Sequence, residues 1–405
     1  MKIIVAKACA VSLTYRLFEV GDGVEELLAG GRADGIGDGG GGFVWQLADE
    51  PQRSREVHLG NHGDAAREIL EQLASDGAIT GPQEISAVVF QAPLGGDGEP
   101  TALVDHVLLE RMEYFVPLAP VDNPPCIVAM RMFQEILPDT PILAAFDNAF
   151  HRTVAPRRRL FAVGPDWVSR WGIQRYGYDG LTHKHVADRM AQLAKGKSSR
   201  VISCHLGSWR SSVCAIREGQ SVAFSGQASR HSGLPQAGAV GDFDVFALGL
   251  LQEEAGLDLQ AMLGLLGSRS GLSAVSGISG DLCEVCHQAE QGHAQAQLAV
   301  ELYVSAVRDA IGADLVELGG ADAIVFSGSL AQAQPSVREA ICQGLAFASI
   351  KLDGAKNKQA TGEARISAPR SKSTIWLVPA DAWRMAARQG FQALTRQLAH
   401  MQQMH

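Results

Sequence analysis

The amino-acid order predicts an α/β protein of two domains, each opened by a pair of strands and completed by helices. Three observations carry this expectation. The chain has 405 residues, more than one hydrophobic core normally organises, so two domains of roughly 150–200 residues each are expected. Hydrophobic residues make up 46% of it, enough to fill two cores and incompatible with a disordered chain. An apolar strand pair near residues 3–20 is matched by a second near residues 200–216, which reads as a duplication.

The elements follow in order. Ile3–Ala6 is a strand and Val11–Val20 its hairpin partner. Gly30–Gly42 (GGRADGIGDGGGG) lacks the spacing of a phosphate loop and reads as a flexible hairpin or insertion. Asp64–Leu73 has helical spacing behind an aspartate start signal, and Ile85–Phe90 is a buried strand that runs into Gln91. A helix at Cys126–Ile136 precedes the apolar strand Pro141–Phe146, which delivers Asp147, Asn148 and His151 to its end. Asp147 is therefore the first candidate for a working carboxylate, with an N-cap as its plain structural role. Asp179 stands before Gly180, either as a functional carboxylate or as a turn aspartate. The second half opens with Arg200–Leu206, a partner strand near Ser212–Ile216 and a turn at Arg217–Gln220. Ala323–Ser327 is a strand running into a loop at 328–333, and Thr374–Pro379 a last strand before a C-terminal helix.

Composition narrows the function. The net charge of −9 is spread along the chain, and the basic clusters Arg157–Arg159 and Lys195–Arg200 are short and lack interleaved aromatics, so nucleic acid is not an expected partner. About four apolar residues separate Lys2 from Lys7, too few for an export signal, and no run approaches the roughly 18 residues of a membrane span. A cytoplasmic protein without membrane contact is expected, and the seven scattered cysteines fit reduced thiols. Cys283, Cys286 and His287 spell CxxCH, the haem-attachment pattern; without an export signal they read as two cysteines on one helix face. His183 and His185 lack a third ligand at zinc spacing, so no metal site is assigned.

FDNAFH at 146–151 and RYGYDGLTH at 175–183 resemble the FDTAFH and RYGFHGTSH signatures of the acetate and propionate kinase family. PLAPVDNPP at 117–125, His205-Leu206-Gly207, AGAVGDFD at 237–244 and SGISGDLCEV at 276–285 resemble its PLAPLHNP, HLGNG, GTRSGDID and SGLSSDFRD, so the likeness spans the whole chain. It implies the duplicated actin, hexokinase and sugar-kinase (ASKHA) fold with a cleft between two domains, residues 1–150 completed by the helix at 380–405, and residues 151–380. It also implies ATP and Mg2+ as cofactors, transfer of phosphate to a small carboxylate, and a homodimer through the second domain. On the nucleotide side the matching positions are His205, Leu206, Gly207, Ser208, Asp281, Gly328 and Ser329. Gln91 and Asp122 fall on the substrate side, and Asp147 and Asp179 at the catalytic positions.

Several of these positions depart from the family. Lys7, Cys9, Ala10, Val11 and Thr14 replace its small phosphate-cupping turn and its lysine; Gln91 replaces the arginine that anchors the carboxylate. Asp122 and Asp179 replace histidines, Ala239 and Cys283 replace arginines, Trp209 replaces a glycine, and the magnesium-side glutamate falls at Ala382 or Trp383. Phosphoryl transfer relies on positive charge around the equatorial oxygens. The losses leave three readings: a catalytically impaired member that binds a metabolite, a nucleotide or a true kinase subunit; an active phosphotransferase with a site rebuilt around Asp147, Asp122, Asp179 and Lys7 for a different, cationic or neutral, substrate; or a working carboxylate kinase charged by Arg152, Arg210 or Arg230.

Overall fold

The structure, a computed structural model, describes residues 1–21, 23–195, 199–278 and 280–403. The centre of the basic cluster at 195–200, Ser279 of the SGISGDLCEV stretch and the last two residues of the C-terminal segment lie outside these. The chain forms two compact units, Met1–Ala149 with the chain from Asp381 on, and Phe150–Ala380.

Eight strands make the sheet of the first unit: β1 (Lys2–Cys9), β2 (Ser12–Gly21), β3 (Val24–Asp34), β4 (Gly41–Leu47), β5 (Arg53–Val57), β6 (Ile85–Ala92), β7 (Thr101–Leu103) and β8 (Ile142–Phe146). Their order is β5-β4-β3-β2-β1-β6-β8-β7. β1 to β5 form an antiparallel meander, whereas β1, β6 and β8 run parallel. The glycine-dense segment is thus no insertion: Gly31 pairs with Trp45 and Asp34 with Gly42 across the β3–β4 hairpin.

Because side chains alternate along a strand, the central strands are covered on both sides. Ile4, Ala6, Val88 and Phe90 join a core with Ala65 and Ile69 of the helix His62–Ser75 and Ala129 and Phe133 of the helix Asn123–Ile136. Val89, which points the other way, meets the C-terminal helix Ala382–Gln403 at Gly390, where an added Cβ would lie 2.4 Å from Val89 Cγ2. Only glycine permits that approach.

Two helix starts differ from expectation. The first helix is capped by Asn61, whose Oδ1 accepts from the backbone N–H groups of Gly63 and Asp64 at 2.7 and 3.1 Å. Asp64 sits inside the first turn and accepts from Gly60 N, the residue before the cap, at 3.0 Å. The helix expected at Cys126 begins at Asn123, because prolines at its first positions already have helical φ. Asn123 itself is fully buried. Its amide accepts from Leu94 N at 3.3 Å and donates to Leu94 O and Met112 O at 3.0 and 2.8 Å. Asn123→Ala orphans these backbone groups and is expected to cost about 2–4 kcal/mol, read as a drop in the urea midpoint.

The second unit repeats the scheme. β9 (Arg200–Leu206), β10 (Ser211–Arg217), β11 (Gln220–Phe224), β12 (Ala323–Ser327), β13 (Ala364–Arg365) and β14 (Thr374–Leu377) are ordered β11-β10-β9-β12-β14-β13. Neighbour for neighbour, parallel and antiparallel pairings match β3-β2-β1-β6-β8-β7. Glu218 and Gly219 close the β10–β11 hairpin with φ of 52° and 77°, the left-handed pair that suits strand twist. The helix Ala294–Leu318 covers one face through Tyr303, Val307 and Ile311. The helix Gly180–Leu193 covers the other through Val186 and Met190, against Val201, Cys214 and Val325. Among the described residues no helix is long and apolar enough to cross a membrane.

Candidate functional site

In the first unit the candidate side chains gather where the parallel strands end. Gln91 lies beside Ala145 in the β6–β8 register. Asp147 follows β8 directly, and its N–H donates to Ala92 O at 2.8 Å. Lys7 is exposed on β1, one residue past the Ala6–Phe90 pair. Asp122 stands at the start of the helix held by Asn123, without making a capping bond. Two amides here have unsatisfied buried atoms, Nε2 of Gln91 and Oδ1 of Asn148, whose Nδ2 donates to Gly96 O at 2.9 Å.

In the second unit Asp179 occupies the residue before the helix Gly180–Leu193 with φ of 58°, a left-handed conformation that aspartate tolerates. It makes no cap. Its side chain, 16% exposed, turns inward, with Oδ1 3.8 Å from Arg230 Nη2. Burial works to raise its carboxyl, but His205 and Arg230 beside it and the Ser212 hydroxyl outweigh that and hold it well below the usual carboxylate range. An ionised Asp179 only accepts, so Ser212 Oγ donates to its Oδ2 at 2.7 Å. Ser212 Oγ then accepts from His183 Nε2–H at 3.0 Å, which leaves His183 Nδ1 to accept from Ser203 Oγ at 2.9 Å. Burial, with His151 next to it, pushes His183 far below the ordinary histidine value, consistent with this neutral tautomer. A directed chain Ser203→His183→Ser212→Asp179 results, and it positions the carboxylate.

Around Asp179 lies a recess of about 20 Å³, walled among others by Tyr178, Arg210, Ser212, Arg230 and Gln236, room for one or two waters. The Arg230 guanidinium stacks on Tyr178, 5.3 Å from the ring centre. Arg152 sits in the turn Ala149–Thr153 and does not line this recess. Ala239 is buried, and its backbone packs where a Cβ on Gly271 would stand 2.7 Å from Ala239 O.

The nucleotide-side candidates come together at the ends of β9 and β12. Ser208 N donates to Ser329 Oγ at 2.9 Å, and the two hydroxyls lie 2.7 Å apart. Leu282 N donates to Ser208 O at 3.1 Å, bringing in Asp281, which caps its helix through Cys283 N at 2.8 Å. His205 Nδ1 is 3.4 Å from Ser327 Oγ. Gly328 has φ of 94°, and a Cβ there would lie 2.4 Å from Leu206 O, so the two loops touch backbone to backbone. Trp209 is 64% exposed, and its ring lies over Gly280, 2.8 Å from where a Cβ would be. The CxxCH residues sit on the helix Leu282–Glu290, where burial raises both thiols, Cys286 to about 12; neither is a ready thiolate.

Residues 2–388 match the sequence pattern of the Acetokinase family. The chain belongs to that family. It is 33% identical over 394 residues to the acetate kinase of Dictyoglomus turgidum, covering 96% of both chains. With the acetate kinase of Clostridium botulinum it shares 33% over 393 residues, 96% of this chain and 98% of the relative. The solved acetate kinase of Porphyromonas gingivalis superposes with a TM-score of 0.88 at 28% identity, over 97% and 99% of the two chains. A propionate kinase of Francisella tularensis gives 0.88 at 24% identity over 95% and 98%, a likeness of fold alone. The acetokinase architecture, a duplicated two-domain ASKHA fold, is therefore that of this chain.

Acetokinases use ATP and Mg2+. The paired hydroxyls of Ser208 and Ser329 suit nucleotide oxygens. The metal fits less well. Mg2+ takes one or two carboxylates with phosphate and water oxygens. Here Asp147 is partly exposed, but the family glutamate position falls at Ala382 or Trp383, neither of which offers a side-chain oxygen. Among the described residues no three His, Cys, Asp or Glu side chains cluster as a metal site.

Proposed function

We propose that this acetokinase-family protein transfers phosphate to acetate or propionate at a strongly reduced rate and acts chiefly as a binding protein, for a nucleotide or small carboxylate or for a related kinase subunit. The observation that carries this reading is Asp179. A carboxylate locked by Ser212 and His183 stands where the family has a histidine, and a fixed anion opposes the oxygens of a transferring phosphoryl group. Arg230 does not reverse the sign, because its charge already faces Asp179 at 3.8 Å. Gln91 and Ala239 supply no charge in place of the two arginines. Ser208, Asp281, Gly328 and Ser329 would hold the nucleotide. The reading carries a cytoplasmic homodimer, with a heterodimer with an active relative as the alternative, and working halves at 1–150 with 380–405 and at 151–380.

The test is an acyl-phosphate trapping assay with acetate and propionate, run beside the Dictyoglomus turgidum acetate kinase. Each missing transition-state contact removes about 10²–10³ in rate, so kcat/KM is expected at least about 10³-fold below that relative. A value within about tenfold of it overturns the proposal.

A further inference from the structure

Phe224 and Ser225 wall the Asp179 recess and also line a second one, of about 80 Å³, with Arg158, Arg175, Ala310 and Asp314. Asp314 lies on the helix Ala294–Leu318, only 5% exposed, and its Oδ2 is buried with no hydrogen-bond partner. Arg175 Nε is likewise buried and unsatisfied. Its guanidinium rests on the Phe161 ring, 5.2 Å from the centre, and its backbone N donates to Arg159 O at 2.7 Å. Arg158 is already committed, donating through Nε and Nη2 to Glu317 Oε2 at 3.1 and 2.6 Å. One buried acceptor and one buried donor therefore remain, and buried polar atoms normally find partners.

The recess is larger than the 10–15 Å³ one water needs and suits a molecule of about five heavy atoms. A simple carboxylate would satisfy Arg175 and could meet Asp314 only in its protonated form; a simple amine would meet Asp314 and leave Arg175 unmet. We propose that this recess binds a small hydroxy- or amino-carboxylate, whose carboxylate accepts from Arg175 while its neighbouring hydroxyl or ammonium engages Asp314. Burial pushes the Asp314 carboxyl up to about 7, Arg158 opposing and Glu317 adding to the rise, so near neutral pH it serves either partner. Phe224 and Ser225 separate this recess from the first. Ser225 Oγ accepts from Val213 N at 3.0 Å, and the Phe224 ring lies 4.6 Å from His151.

Calorimetric titration of the full chain with glycolate, glycine and acetate separates the cases. Glycolate or glycine is expected to saturate one site, with acetate at least about tenfold weaker; which of the two binds assigns the hydroxyl or the ammonium. Asp314→Leu weakens binding at least about tenfold. Ala310→Met fills the recess, touches neither polar group and abolishes binding. Arg210→Ala, which alters the first recess alone, leaves it unchanged. No saturable binding up to about 10 mM, binding that survives Ala310→Met, or binding lost in Arg210→Ala overturns the proposal.

Discussion

Arg338→Met is expected to lower the stability of the second unit by about 3–5 kcal/mol. Arg338, on the helix Pro335–Gln343, is fully buried, and every partner of its guanidinium is an uncharged oxygen. Nε donates to Asn357 Oδ1 at 2.7 Å and Nη2 to Asn357 O at 2.6 Å; Nη1 donates to Ala331 O and reaches Gln332 O at 3.5 Å. Asn357 in turn donates to Pro335 O at 2.8 Å. Burial lowers the arginine from its ordinary value, yet an arginine stays charged in a protein, so the cation is stabilised by carbonyl dipoles alone. Methionine fills much of the volume but orphans three buried acceptors, each costing about 1–3 kcal/mol, with incomplete additivity. Arg338→Lys should recover less than half, since one ammonium cannot span both Ala331 and Asn357. The check is urea unfolding, with a lowered midpoint at unchanged slope; a loss under about 1 kcal/mol for Arg338→Met would refute the role.

Between pH 7 and pH 4 the wild type is expected to lose about 3 kcal/mol more stability than His151→Gln. His151 is buried; its Nε2–H donates to Tyr178 O at 3.0 Å and its Nδ1 accepts from Ser221 Oγ at 2.9 Å. Burial pushes it from 6.5 down to about 4, against the opposing Tyr178 carbonyl. An unfolded histidine binds its proton below about 6.5 while the folded one stays neutral. Through that window the unfolded chain holds more protons, so the contribution of His151 is full above 6.5 and drains away as pH falls to about 4. Glutamine reproduces the donor and the acceptor without titrating. The comparison isolates His151 from Asp314, whose raised carboxyl works in the opposite sense, contributing stability at low pH that is lost as pH rises through about 7. Equal pH slopes for the two proteins would rule the effect out.

Much of this architecture could be read from residue order because the strands are apolar runs bounded by turns. Ile3–Ala6, Ile85–Phe90, Arg200–Leu206 and Ala323–Ser327 all lie within observed strands. The parallel registers that bring Gln91 beside β8 and Ser208 against Ser329 join residues far apart in sequence, and periodicity carries no trace of them. Aspartate is a good cap, so Asp64 reads as a helix start, yet Asn61, three residues earlier, holds the position. The chain behind Asp179 was invisible for a similar reason. Ser203 and Ser212 are unremarkable strand residues until β9 and β10 place them on either side of His183, which spacing alone marked only as a poor zinc ligand. Arg338 sits in an amphipathic helix where a charged residue ordinarily faces solvent, and its burial depends on Asn357, 19 residues on.

The docking of the C-terminal helix on β1 and β6, through Gly390 against Val89, also sets an order of events on the ribosome. The first 149 residues can pair β1 with β6 and β8 as they emerge, but one face of that sheet stays bare until the last segment has been synthesised. The whole of Phe150–Ala380 is made in the interval, when exposed Val5 and Val89 are open to association between nascent chains. Chains released before residue 381 should therefore accumulate as aggregates.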